Sequence, residues 1–192
     1  ERPLSINQYF ARLSQRQINA LTALTQEGGL FEVDMRLRPL GESGPIASRF
    51  SSFANYYKEQ AWTWEHMALT RARVIFATSN IFRLDIESEI RDILTIPRDK
   101  DKLLRDVFTM RAKLAREKPT NCLWSLKNLR GGMVDIEFIT QYLALRHASA
   151  TPNILSNNTL SLIENLTRQG YIDPSYGQFL FENMKLFQAL QS

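Results

Sequence analysis

This chain is short of the residues that build disulfide frameworks, zinc sites and membrane spans. Its 192 residues include one cysteine, Cys122, and two histidines, His66 and His147. A single thiol cannot form an internal disulfide, which fits a reducing compartment such as the cytoplasm. One Cys and two His do not make a four-ligand zinc site, so a metal here would be a hard cation held by carboxylates. No apolar run approaches the roughly 18 residues that span a bilayer. No basic stretch followed by an apolar one opens the sequence, so nothing points to secretion. Apolar residues make up 44% of the chain, an ordinary globular share that excludes disorder as the main state.

The charge excess of +4 is small and local. Residues 101–150 carry 9 basic and 5 acidic side chains, while the other stretches nearly balance. Within that region Lys102, Arg105, Arg111, Lys113, Arg116 and Lys118 recur at helical spacing with few aromatics between them. A nucleic-acid surface interleaves aromatics with its cations. These residues therefore read as the solvated face of a helix, and no nucleic-acid partner is expected.

The order of elements follows from caps and periodicity. Ser5 with Gln8 three residues on forms a capping box, and Leu4 is placed to staple onto Tyr9. Ile6, Phe10, Leu13, Ala20, Leu21 and Leu24 mark one helical face, ended by Gly28-Gly29. Residues 30–38 then alternate with period 2. Phe31, Val33, Met35 and Leu37 point one way, and Glu32, Asp34, Arg36 and Arg38 the other, so a strand is predicted, with 46–49 as a short partner. Helices follow over 52–60, 62–75, 81–94, 101–118, 134–147, 159–169 and 174–190. Gly170 closes one of them, and Asp173-Pro174 opens the next. The expected fold is mainly α with a small β-hairpin (α+β), changing near 75–80 from a strand-bearing part to an all-helical one. The chain begins at Glu1, without methionine, and stops at Gln191-Ser192 inside a periodic stretch, which suggests an excised piece of a longer protein.

Three clusters could carry chemistry. The charged face of 32–38 is either the wet side of an amphipathic strand or a place where carboxylates hold Mg²⁺ and arginines meet phosphate. Phosphoryl and nucleotidyl transfer need those parts, since the work is positioning and charge neutralisation. The second cluster runs from Glu59-Gln60-Ala61-Trp62-Thr63-Trp64-Glu65-His66 to Arg71-Ala72-Arg73. Two tryptophans so close suggest core, packed behind Phe31, Val33 and Met35. Arg71 and Arg73 are placed as ion-pair partners of the strand's acids. His66 lacks a companion that would make it a general base. In the third cluster, Arg130-Gly131-Gly132 precedes a helix whose first turn holds Asp135 and Glu137. Its backbone N–H groups could receive an anion, or the acids could simply suit the helix dipole.

Together these motifs resemble the glutamine synthetase adenylyltransferase family. The likeness is carried by Phe31-Glu32-Val33-Asp34-Met35-Arg36-Leu37-Arg38-Pro39 with Gly44. It extends through residues 59–66, Ala68-Leu69 and Arg71-Ala72-Arg73, and through Gly131-Gly132, Asp135-Ile136-Glu137-Phe138-Ile139 and Gln141-Tyr142-Leu143. The resemblance implies a bifunctional nucleotidyltransferase. One half moves AMP from ATP to a tyrosine of glutamine synthetase, and the other removes it by phosphorolysis. The PII signalling protein and glutamine tune the balance. Residues 1–75 would be the C-terminal part of a nucleotidyltransferase domain and 76–192 a helical bundle. The run Phe138-Ile139-Thr140-Gln141-Tyr142-Leu143 before Leu145-Arg146 is similar to the C-terminal, adenylylating half.

In that superfamily a Gly-Ser motif, an Asp-x-Asp and a third carboxylate form the metal site. Asp34 matches the third carboxylate, which makes it the expected catalytic Mg²⁺ ligand. Glu32, Arg36 and Arg38 would support it or face the triphosphate. The other two motifs are missing. The one Asp-x-Asp, Asp99-Lys100-Asp101, sits at a helix start, where residues i and i+2 face apart. This chain alone is therefore expected to be inactive. The rival readings are the deadenylylating half, or a helical module that docks glutamine synthetase or PII without chemistry.

Overall fold

The computed structural model describes residues 3–29, 31–120, 122 and 124–191. Among them lie eight α-helices and a two-stranded antiparallel hairpin, the mainly helical class expected from the sequence. The chain divides into two compact units, Glu1–Ala61 and Trp62–Ser192, a division that falls earlier than the compositional change near 75–80.

In the first unit, α1 (Ile6–Leu21) opens on the predicted capping box. Gln8 N–H donates to Ser5 Oγ at 3.4 Å, and Ser5 N–H to Gln8 Oε1 at 3.2 Å. Leu4 and Tyr9 are both exposed. The helix stops at Leu21 instead of running to Gly28-Gly29. The Thr22 hydroxyl and N–H both turn back onto the Ile18 carbonyl at 2.9 Å, which closes the last turn. The hairpin follows at once, with β1 (Leu24–Thr25) paired to β2 (Gly28–Gly29) in the register Leu24↔Gly29 and Thr25↔Gly28. Gly28 supplies the positive φ of 99° that the tight turn needs.

The predicted strand over 30–38 and its partner at 46–49 do not form among the described residues; Leu30, where the strand would begin, lies outside them. A strand needs an edge to pair with, and period-2 patterning supplies only its faces. Here the backbone donors are satisfied locally. Asp34 Oδ1 accepts from the Arg36 N–H at 2.9 Å, and Arg38 N–H donates to the Met35 carbonyl at 3.4 Å. The apolar side is correspondingly open, with Phe31 63% and Leu37 55% exposed. A short 3₁₀ turn (Gly41–Ser43) and α2 (Phe50–Glu59), which buries Ala54 and Tyr57, complete the unit.

The second unit is a bundle of α3 (Thr63–Leu69), α4 (Asn80–Thr95), α5 (Lys100–Glu117), α6 (Met133–His147), α7 (Thr159–Arg168) and α8 (Pro174–Gln191). Helix α3 is half its predicted length. Thr70 directs its hydroxyl to the Met67 carbonyl at 2.6 Å, and β-branched Val74 and Ile75 follow. Ser79 caps α4, accepting from Phe82 N–H at 3.1 Å. Arg98 closes its other end by donating to the carbonyls of Ile93, Leu94 and Ile96 at 2.8–2.9 Å. Burial lowers the Arg98 pKa to about 10, yet the guanidinium stays charged at neutral pH. Asp99 is the N-cap of α5, accepting from Lys102 N–H at 2.6 Å, so the Asp-x-Asp pair is helix punctuation.

Helix α6 is the centre of the bundle. It buries Met133, Val134, Ile136, Thr140, Gln141, Ala144 and Leu145, so it faces neighbours on several sides. Ala144, Ala148, Ile154, Leu162, Leu166 and Ile172 form one apolar cluster, and Met133, Ile136, Ile163 and Met184 a second. Helices α7 and α8 turn about Gly170 (φ 75°), and Gly177 lets α8 approach so near that a Cβ there would run into the Thr167 side chain. His147 stacks on Tyr171 with ring centroids 4.0 Å apart, and the Tyr171 and Thr151 hydroxyls lie 2.6 Å apart, which ties the end of α6 to the α7–α8 turn.

Candidate functional site

The first site stands on the loop that replaces the predicted strand. Asp34 and Arg36 form a two-pronged pair, with Arg36 Nη2 2.6 Å from Asp34 Oδ2 and Nε 2.9 Å from Oδ1. The geometry is the fork-to-carboxylate contact that makes such bonds strong. The Arg36 side-chain bonds, and after them its backbone N–H, lower the Asp34 pKa from 3.8 to about 2. Both side chains are more than half exposed. Glu32 is exposed on the same loop. Arg38 turns inward on the loop itself, donating to the carbonyls of Met35 at 2.6 Å, Glu42 at 2.9 Å and Gly44 at 3.0 Å. It holds 35–44 in a compact turn, where Leu40 takes a left-handed φ of 64° and Gly44 lies tight against the Pro39 carbonyl.

Asp34 is therefore an ionised, solvent-facing carboxylate whose present partner is a guanidinium. Among the described residues no three His, Cys, Asp or Glu side chains gather as a metal-ligand set. One carboxylate supplies too few oxygens for Mg²⁺, so the residues of this chain do not by themselves fit that ion.

The second set of charged residues lies within the bundle and was only partly legible. Arg111, on α5, directs Nε to Asp135 Oδ1, and both side chains are about four-fifths buried. Asp135 Oδ2 accepts the Gly131 N–H at 2.6 Å. Arg71 Nη1 reaches Glu137 Oε1 at 2.5 Å. The sequence placed Arg71 with the acids of the 32–38 segment; its partner is instead Glu137 on α6. It also placed Arg111 on a solvated face. Lys102 and Lys113 do pair with Asp106 and Glu117 on that outer surface, but Arg111 points inward. The missed signal was two acids, Asp135 in the first turn and Glu137 just after it, at the start of an apolar helix; they need cations from elsewhere once α6 is buried.

The glycines before α6 do not leave a free anion cradle. Gly132, Met133 and Val134 N–H groups donate to the carbonyls of Leu129, Leu126 and Lys127 at 2.8, 2.9 and 3.1 Å. Gly131 has a φ of 80°, and a Cβ at Gly132 would run into the Leu126 and Leu129 carbonyl oxygens. The pair of glycines lets the loop over 124–130 close onto the start of α6.

Trp62 and Trp64 also depart from expectation, at 70% and 37% exposed. The residues that α3 buries are Glu65, Met67 and Leu69. Glu65 Oε2 accepts the Trp62 N–H at 2.8 Å, and the Thr63 hydroxyl donates to Asp106 at 2.5 Å. The motif is thus held by its capping acid and leaves its indoles toward solvent.

Fold and sites describe a mainly helical chain in which an exposed acid–arginine loop precedes a bundle locked by arginine–carboxylate bridges. Residues 1–85 match the family model of glutamate-ammonia ligase adenylyltransferase. Bifunctional glutamine synthetase adenylyltransferase/adenylyl-removing enzymes match nearly the whole chain. The one from Rhodopseudomonas palustris strain TIE-1 is 51% identical over 190 residues, 99% of this chain. Another, from R. palustris strain HaA2, is 55% identical over 190 residues, and that from Xanthobacter autotrophicus 47% over 189 residues, 98% of this chain. The chain belongs to this family. It spans about a fifth of the length of these relatives, 19% in each case.

Proposed function

We propose that this chain is part of an enzyme that transfers AMP from ATP to a tyrosine of glutamine synthetase, and that it belongs to the adenylylating half. The observation that carries the reading is the Asp34–Arg36 pair, an exposed carboxylate of depressed pKa on the family's first motif. In the proposal Asp34 is one Mg²⁺ ligand of a site completed by segments of the longer protein. Mg²⁺ would neutralise the triphosphate and orient it. Arg36 and Glu32 would border the triphosphate. Arg38 shapes the loop through its three carbonyl contacts. Glutamine synthetase, ATP and PII are the partners of the whole enzyme, which works in the cytoplasm. The similarity of 138–143 to the adenylylating pattern supports that half over the deadenylylating one.

Two incubations test the reading. The longer protein containing this chain, given labelled ATP, Mg²⁺ and glutamine synthetase, is expected to label the synthetase. The chain alone is expected to give none, because one carboxylate cannot assemble the metal site. Labelling by the isolated chain, or none by the longer protein, would overturn it.

A further inference from the structure

A second basic feature lies within the unit Trp62–Ser192, and it includes none of Glu32, Asp34, Arg36 and Arg38. A cavity of about 370 Å³ is bordered by Arg73, Arg83 and Arg91, with Glu87 the carboxylate among its lining residues. Buried Leu69 and Leu94 lie at its apolar side. Arg83 is engaged by Glu87, Nε to Oε1 at 2.9 Å. Arg91 donates to the neutral Asn153 amide oxygen at 3.0 Å, and among the described residues neither Arg91 nor Arg73 makes an ion pair. Two of the three guanidiniums thus border the cavity without an ion pair among the described residues.

The helix sets the spacing. Arg83, Glu87 and Arg91 stand at i, i+4 and i+8 on α4, one face over about 12 Å at 1.5 Å per residue. Arg73 comes from the segment after α3, and Ser156 and Asn157 add neutral polar groups from the turn before α7. Forked guanidiniums on an apolar wall are suited to phosphate oxygens, since each can give two parallel charge-assisted bonds. The length of the row exceeds what a single phosphate would touch.

We propose that this cavity binds a ligand carrying two or more linked phosphoryl groups, held by Arg73, Arg91 and Arg83 and weakened by Glu87. The inference uses only residues of the helical unit and does not depend on adenylyl transfer by the family's first motif. Either can fail while the other stands.

Calorimetric titration of the full chain with sodium tripolyphosphate, ATP and inorganic phosphate tests it. Tripolyphosphate is expected to bind, inorganic phosphate at least about tenfold more weakly, and ATP like tripolyphosphate, since the phosphates are what the site grips. Arg73→Gln and Arg91→Gln should each weaken tripolyphosphate about tenfold. Glu87→Gln should tighten it severalfold, because it removes the repelling charge and frees Arg83. Lys113→Gln, an equal charge loss outside the cavity, should change it less than about twofold. The Glu87→Gln arm reads a gain, which an unfolded variant cannot mimic. Equal losses in Arg73→Gln and Lys113→Gln would mean a diffuse surface field and overturn the proposal. So would weaker binding by Glu87→Gln, tight binding of inorganic phosphate alone, ATP binding that tripolyphosphate does not compete for, or no tripolyphosphate binding in the wild type.

Discussion

Removing the Asp135 carboxylate is the sharpest test of how the helical unit is held. Asp135→Ala leaves Arg111 with 19% of its side chain exposed, beside the apolar Val107, Phe108 and Phe138. Breaking a fully buried pair costs about 3–5 kcal/mol, and an exposed one about 0–1. With both partners roughly four-fifths covered, about 2–3 kcal/mol is expected. The Gly131 N–H adds little, because Gly131 is exposed and water replaces the lost acceptor. Glu137→Ala is the internal control. It strands Arg71, which is half exposed at 51% and can turn into solvent, so about 1 kcal/mol or less is expected. Urea unfolding followed by circular dichroism at pH 7 gives both numbers from midpoints at constant slope. Raising the salt to about 0.5 M should shrink the Glu137→Ala effect more than the Asp135→Ala one. An Asp135→Ala loss under about 0.5 kcal/mol, or equal to that of Glu137→Ala, would refute the assignment of this bridge as the lock on α6.

Other outcomes follow from single contacts. Gly132→Ala should cost about 2–3 kcal/mol, because the new methyl meets backbone carbonyls that cannot step aside; a neutral result in the same urea assay would show that the loop over 124–130 yields. Trp62→Ala should change stability by less than about 0.5 kcal/mol, as an exposed side chain does, and a loss of several kcal/mol would restore it to the core. The Asp34 carboxyl, followed by NMR, should titrate near pH 2. Its contribution to loop order is then present above its ordinary pKa of 3.8 and lost as the pH falls through about 2; titration at 3.8 would mean that the Arg36 pair does not persist in solution.

The start of α1 and the α7–α8 turn were legible because their signals are local: Ser5 with Gln8 caps α1, and Gly170 and Asp173-Pro174 mark the turn. What depends on distant neighbours was not legible. The alternation of 31–38 is a face pattern without a pairing edge, and Asp34 and Arg38 satisfy the loop from within. Trp62 and Trp64 look like core by type, but only the tertiary packing of α3 decides that Met67 and Leu69 turn inward. The Arg71 partner lies 66 residues along the chain, where no spacing rule reaches. Of the candidate site, Asp34, Arg36 and Arg38 were expected on one face of a strand and lie instead in a loop. Their local pairing needed coordinates, because the same alternation is compatible with a straight strand.

Whether Asp34 serves adenylyl transfer in the longer enzyme is read directly by one substitution. Asp34→Asn keeps the shape and removes the charge that a metal ligand supplies. AMP incorporation into glutamine synthetase and phosphorolytic AMP removal are then measured on the same full-length preparation. The account predicts that adenylylation falls about 10²-fold or more while removal stays within a few-fold of wild type. If both activities stay within a few-fold of wild type, Asp34 is only an exposed loop acid paired to Arg36, and the account is wrong.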